Sequence, residues 1–82
     1  MTREAIKQKS EADKMFEELG YKKEDILNIR GANIGTRFRN RKNGYVFSFY
    51  DENRVFEKPY KEITMEELKA INKKCEELGW LE

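Results

Sequence analysis

Apolar residues repeat at helical spacing in two segments, and the first segment runs from Thr2 to Leu19. Its apolar positions are Ala5, Ala12, Met15, Phe16 and Leu19. Because charged residues separate these positions, the pattern predicts an amphipathic helix with one core-facing side. We expect Gly20 to end this helix in the left-handed conformation, with Tyr21 packing back against Phe16.

The second segment opens on Thr64-Met-Glu-Glu67, which is typical of a helix start. A threonine hydroxyl and a glutamate three residues later can each accept a hydrogen bond from a free backbone N–H, in the capping box. The apolar positions that follow at helical spacing are Met65, Leu68, Ile71, Cys75 and Leu78. We expect Gly79 to end the helix and Trp80 to contact back toward Cys75.

Between the two helices, turn signals and alternating aromatic residues predict antiparallel strands. Asn43-Gly44 favours a two-residue type I′ hairpin, and pairing outward from it places Phe38 opposite Phe49. A second turn at Glu52-Asn53 would place Phe49 opposite Phe56. Since residues directly opposite one another share a face, both turns put the phenylalanines on the same side of the sheet.

At the start of the sheet, the sequence is compatible with two different structures. Ile26 to Arg30 could form a short additional strand, whereas residues 23–27 could form a helical turn. Pro59 cannot donate to a ladder and therefore limits the last strand. The predicted order is helix, three or four antiparallel strands, helix, with both helices on the phenylalanine face. This is a two-layer α+β domain that takes in residues 1–82.

Composition restricts the chemistry available to this domain. The chain has no histidine and one cysteine, which excludes the common zinc sites, an intrachain disulfide and a histidine-activated nucleophile. We therefore expect Cys75 to be a buried structural thiol, and we expect no cofactor and no enzymatic activity. A lone cysteine, the absence of a signal-peptide pattern and the lack of an 18-residue apolar stretch favour a cytoplasmic protein.

Charge is balanced overall at +1 but is unevenly distributed. Residues 30–44 contain five basic residues and no acidic residue. In the hairpin register above, Arg37, Arg39 and Arg41 lie opposite Tyr50, Ser48 and Val46 on the face away from the phenylalanines. Arginines beside an exposed aromatic ring could bind nucleic acid or another anion, while a solvated outer sheet face would carry the same residues.

Two further features each have a structural and a functional interpretation. Gly31-Ala-Asn-Ile-Gly35 could offer backbone N–H groups to an anion, but it lacks the ending of a phosphate-binding loop. A strand connection or bulge explains it better. Trp80 could anchor a protein partner or a second copy of the chain, or it could close the end of the helix.

Both ends of the chain resemble a known group of proteins. The stretches Ala12-Asp-Lys-Met-Phe-Glu-Glu-Leu-Gly-Tyr21 and Glu62-Ile-Thr-Met-Glu-Glu-Leu-Lys-Ala-Ile-Asn-Lys-Lys-Cys-Glu-Glu-Leu-Gly-Trp80 are similar to small uncharacterised phage and prophage proteins of Gram-positive bacteria. The similarity covers less than half of the chain, and the arginine-rich centre departs from it. It implies the fold and an accessory role in the bacterial cytoplasm, and it assigns no site residues.

The sequence thus predicts a small non-enzymatic accessory domain that binds a protein partner or forms a homodimer. The alternative function is nucleic-acid binding through Arg37, Arg39, Arg41 and Tyr50. Neither hypothesis involves a membrane.

Overall fold

A four-stranded antiparallel sheet, with one helix before it and one after it, is formed by residues 10–81, the part of the chain that the computed structural model describes. The elements are α1 (Glu11–Glu18), β1 (Tyr21–Leu27), β2 (Asn33–Asn40), β3 (Val46–Tyr50), β4 (Val55–Glu57) and α2 (Met65–Glu77). The strands lie side by side in chain order. The predicted α+β meander is therefore confirmed, with four strands.

The first helix begins at a side-chain cap. Ser10 is extended, at φ −71° and ψ 167°, and its hydroxyl accepts a hydrogen bond from the backbone N–H of Asp13 at 3.1 Å. The prediction of one unbroken helix from Thr2 is therefore wrong at Ser10, and its part over residues 2–9, with Ala5, lies outside the described residues. Gly20 ends the helix at φ +94°, and the Tyr21 ring meets Phe16 edge-on at 6.0 Å, as predicted.

The second helix begins and ends as the sequence predicts. Thr64 Oγ1 accepts from the Glu67 backbone N–H at 3.1 Å, and a Glu67 carboxylate oxygen accepts from the Thr64 N–H at 3.0 Å. At the other end, the Gly79 N–H donates to the Glu76 carbonyl at 3.0 Å and the Trp80 N–H to the Cys75 carbonyl at 2.9 Å. This pair of bonds satisfies carbonyls that a helix end leaves free.

The side of α2 that is buried matches the predicted apolar stripe only in part: Ile71 is buried and Cys75 and Leu78 pack against the core, as predicted. Met65 is 61% exposed and Leu68 49% exposed, although both were expected to face the core. The buried positions are Glu67, Ala70, Ile71 and Lys74. Relative to the predicted orientation, the helix is rotated about its own axis. The reason is that the buried Glu67 and Lys74 are charged and pair with Tyr21 and Asp13 on other elements.

The core is a layer of phenylalanine rings between the helices and the sheet. Phe16 from α1 stacks on Phe38 from β2, with ring centroids 4.1 Å apart and planes 10° apart. Phe47 and Phe49 from β3 complete this layer, and all four side chains are fully buried. Each buried phenylalanine contributes roughly 2–3 kcal/mol of hydrophobic stabilisation, which makes this layer the main source of stability in a small domain.

The first strand starts directly after the turn at Gly20. Because Lys23 pairs with Phe38 in the β1–β2 ladder, the helical turn considered for residues 23–27 is wrong. The strand ends at Leu27, and residues 29–30 belong to the following turn, so the strand considered at Ile26 to Arg30 is present only in its first two residues.

The register of the β2–β3 hairpin differs by two residues from the prediction. Phe38 pairs with Phe47 rather than Phe49, and the Asn40 N–H donates to the Tyr45 carbonyl at 2.9 Å, which leaves a four-residue loop over 41–44. The Asn40 carboxamide oxygen accepts hydrogen bonds from the backbone N–H groups of Lys42 and Asn43, at 2.9 and 3.3 Å. This side-chain cap stabilises the longer loop in place of the type I′ turn.

Two consequences follow for the sheet. Because a shift of two residues preserves side-chain alternation, the phenylalanines remain on one face. The β3–β4 register is confirmed, since Phe49 pairs with Phe56 and Tyr50 with Val55.

A buried carboxylate joins α1 to both the sheet and α2. Asp13 receives hydrogen bonds from Lys23 Nζ at 3.1 Å and from Lys74 Nζ at 3.3 Å. Burial by itself would raise the pKa of Asp13, but the hydrogen bond from Lys23 and the charge of Lys74 outweigh it and hold the pKa below its ordinary value. The charged form of Asp13 therefore stabilises the fold.

A second buried carboxylate, Glu67, lies at the start of α2. It accepts a hydrogen bond from the Tyr21 hydroxyl at 3.1 Å and another from Lys61. Burial opposes ionisation, yet the Lys61 and Thr64 hydrogen bonds leave the pKa of Glu67 lowered. Burial, together with this carboxylate, raises the pKa of Tyr21, which therefore remains a neutral donor.

We predict that Asp13→Asn lowers the free energy of unfolding at pH 7 by about 3 kcal/mol, because it leaves the Lys74 ammonium buried without a counter-charge. Urea denaturation measures this loss. The matched control is Glu18→Gln on the exposed side of the same helix, which should change stability by less than about 0.5 kcal/mol. Equal losses in the two variants would contradict a structural role for the Asp13 charge.

The pH dependence of stability should follow the same carboxylates. Since their pKa values are lower in the folded protein than in the unfolded chain, their stabilisation is complete above the unfolded values, near 3.8 for Asp13 and 4.5 for Glu67. It should be lost as the pH falls through the folded values. Urea midpoints measured across this acidic range should fall more steeply for the native protein than for Asp13→Asn.

Candidate interaction surfaces

Two of the arginines predicted to contact nucleic acid share one carboxylate, which offsets one of their two positive charges. Glu24 on β1 lies opposite Arg37 on β2, and its Oε1 is 3.2 Å from Arg37 Nε. Its Oε2 accepts a hydrogen bond from Arg39 Nε, also at 3.2 Å. Arg37 Nε is buried without a hydrogen bond, so its contact with Glu24 is one of charge alone. These arginines therefore contribute less free positive charge than the sequence suggests.

The other two predicted contact residues are placed differently, since Tyr50 lies on the same sheet face as Arg37 and Arg39 whereas Arg41 lies beyond the end of β2. Arg41 is exposed in the loop after β2. Tyr50 pairs with Gly35, and its hydroxyl donates a weak 3.4 Å hydrogen bond to Glu57. Two positions along β2 separate Gly35 from Arg37, a distance of about 7 Å. The structure thus leaves Arg37, Arg39 and Tyr50 on one sheet face, without the predicted pairing of Tyr50 with Arg37.

The glycine-containing segment at residues 31–35 forms part of a strand connection, as expected. The Asn28 carboxamide oxygen accepts hydrogen bonds from the backbone N–H groups of Arg30 at 2.9 Å and Ala32 at 3.0 Å. The Gly35 N–H donates to the Asn33 side chain at 2.9 Å. Because these N–H groups have internal acceptors, they are not presented to an anion.

Trp80 and Cys75, the two candidate residues at the end of α2, both pack against the core. The Trp80 ring is half-buried, with its centroid 6.2 Å from that of Phe49. Cys75 is also only half-buried, although we expected full burial, and its surroundings raise the pKa of the thiol. The tryptophan closes the helix end, and the thiol remains protonated at neutral pH.

An exposed apolar surface lies on α2, where the sequence pattern indicated core. Met65 and Leu68 are three residues apart, so their side chains are neighbours on the outer side of the helix. We call this pair the α2 surface. Tyr60, in the segment before the helix, is fully exposed. The sequence did not predict this surface, because the spacing of apolar residues is the same whether a given residue of the stripe is exposed or buried.

Residues 10–81 contain neither a cluster of metal-ligand side chains nor a membrane-length apolar helix. These residues include no group of three or more histidine, cysteine or acidic side chains placed to hold a metal ion. In the same range, neither helix is long and apolar enough to cross a membrane.

We predict that Glu24→Gln lowers the free energy of unfolding by about 1 kcal/mol, because the two arginines lose their shared counter-charge beside Lys22. The loss should shrink when salt is raised, since the contact is only partly buried. Thermal unfolding at low and high salt measures it. Asp25→Asn, at the exposed neighbouring position, is the control. A salt-independent loss would show that Glu24 acts through something other than charge.

Comparison with known proteins identifies no relative. No protein-family model matches the chain, and neither a curated protein nor a solved structure is significantly similar to it. Its function therefore has to be inferred from its own surfaces.

Proposed function

We propose that the protein is a non-enzymatic accessory domain that acts by binding another protein through the α2 surface. Met65 and Leu68 carry this proposal because they expose large apolar side chains next to each other on a regular helix. Contiguous apolar surface on a small protein is typical of an interaction site, whereas scattered exposed apolar residues are not. A helix face of this kind is also a common way of presenting anchors to a partner.

The rest of the fold supports a preformed binding site. Thr64 and Glu67 cap the start of α2, next to Met65, so this end of the helix is stabilised before any partner arrives. The opposite side of the helix is held by the buried pair of Lys74 and Asp13. A rigid helix loses little conformational entropy on binding, which favours affinity from a small contact area.

Nucleic-acid binding is the weaker of the two hypotheses. Its support was a row of three arginines with an aromatic residue on one sheet face. Arg37 and Arg39 share a carboxylate, Arg41 lies in a loop, and Tyr50 pairs with Gly35 instead of Arg37. We therefore assign the primary contact to the α2 surface.

The proposed place of action is the bacterial cytoplasm. The single cysteine suits a reducing compartment, because no intrachain disulfide can form. We include in this proposal the accessory role that the resemblance of the two helical ends to phage and prophage proteins would imply.

The test is affinity capture with a variant that changes only the α2 surface. We predict that Met65→Gln/Leu68→Gln loses at least about tenfold of the recovered partner, since anchor residues carry most of the binding energy. Glutamine is a good helix former, so the variant should keep its fold. Quantitative mass spectrometry of proteins captured from a Gram-positive lysate measures the recovery.

The matched control is Glu66→Gln/Lys69→Gln, which changes two exposed charged positions on the same helix without changing net charge. It should recover the partner as well as the native protein does. Equal recovery by both double variants, or no protein enriched by the native domain, would contradict the proposal. Light scattering at several concentrations shows whether the partner is a second copy: a doubled mass that Met65→Gln/Leu68→Gln abolishes would identify a homodimer.

A further inference from the structure

A cleft open to solvent lies at one corner of the sheet, away from Met65 and Leu68. The end of α1 and the turn at Gly20 form one wall, and the start of β1 and the β2–β3 loop form the other. The residues that contribute charge to it are Asp13, Glu17, Glu18, Lys22, Lys23, Arg41 and Lys42. We call this the corner cleft.

Three cations of the corner cleft form no ion pair within residues 10–81. Lys23 is held by Asp13 at 3.1 Å, whereas Lys22, Arg41 and Lys42 are exposed and form no ion pair there. The unpaired positive charge of the cleft thus lies at Lys22 on β1 and at Arg41 and Lys42 in the β2–β3 loop.

The placement of Lys22 opposes stability. It lies directly opposite Arg39 in the β1–β2 ladder, and like charges opposite each other on a sheet destabilise it. The nearby Glu24 is already shared by Arg37 and Arg39. Cross-strand pairing therefore does not account for a cation at this position.

The opposite wall of the cleft determines which kind of anion fits. Glu18 is exposed on α1, and Glu17 lines the same wall. A continuous phosphate backbone would meet the exposed Glu18 carboxylate as well as the cations. A polypeptide avoids this repulsion because it can direct carboxylates toward the loop and neutral or basic residues toward α1.

We propose that the corner cleft binds an acidic segment of a protein through Lys22, Arg41 and Lys42. This site shares no residue with the α2 surface, so either proposal can fail while the other stands. The complementary charges raise the rate of association and set the orientation of the bound segment. Binding weakens as salt is raised, because the three cations are exposed.

The probe is a synthetic peptide of alternating glutamate and serine, titrated into the isotope-labelled protein and followed by amide NMR shifts. The expected shifts are at residues 20–23 and 40–44. A lysine–serine peptide of the same length tests the sign of the charge. An oligothymidylate of the same net charge as the acidic peptide tests nucleic acid as the occupant.

Two triple variants carry the same change in net charge. Lys22→Gln/Arg41→Gln/Lys42→Gln should bind the acidic peptide at least about tenfold more weakly than the native protein, given the usual strength of several exposed charge contacts. Lys14→Gln/Arg30→Gln/Lys69→Gln removes exposed cations elsewhere on the protein and should change binding by less than about twofold.

Lys22→Glu separates a binding role from a structural one. It creates an opposite-charge pair with Arg39, so the melting temperature should rise while peptide affinity falls. The proposal is overturned if no shifts occur at the corner cleft, if both triple variants weaken binding equally, or if Lys22→Glu lowers the melting temperature without changing affinity. Tighter binding of the oligothymidylate than of the acidic peptide would also overturn it, in favour of nucleic acid.

Discussion

The pairing of buried carboxylates with lysines is the constraint on which the arrangement of both helices depends. Asp13 on α1 is held by Lys74 on α2 and by Lys23 on β1, while Glu67 is held by Lys61 and Tyr21. A desolvated carboxylate is tolerated only with such partners. The pairs therefore fix how α2 is rotated about its axis, and that rotation turns Met65 and Leu68 outward. The proposed binding surface is a consequence of the core.

The sequence predicted the parts of the fold that local chemistry determines. The capping box at Thr64, the glycine stops of both helices and the common face of the phenylalanines all depend on residues close together in the chain. The register of the first hairpin was wrong because the Asn40 side chain caps a longer loop, and the turn-forming Asn43-Gly44 pair does not reveal this competition. The even shift nevertheless kept Phe38 on the core face.

The surfaces were harder to predict because they depend on partners distant in the chain. The run of basic residues looked like one strip, but Glu24, 15 residues before Arg39, neutralises part of it. In the corner cleft, the cations that form no ion pair with the described residues are Lys22, Arg41 and Lys42. In the same way, periodicity treats Glu67 and Lys74 as solvent-facing, since it does not represent the ion pairs that bury them. Ion pairs between residues distant in the chain therefore determine which side chains are exposed at both candidate surfaces.

The central claim is that the buried ion pairs turn Met65 to solvent, and methionine-methyl NMR with a soluble paramagnetic probe tests this most directly. Met65 is 61% exposed, while Met15 packs against the core. The predicted result is strong broadening of the Met65 methyl signal and little broadening of the Met15 signal. Equal protection of the two methyl groups would contradict the rotation of α2 and remove the basis of the proposed binding surface.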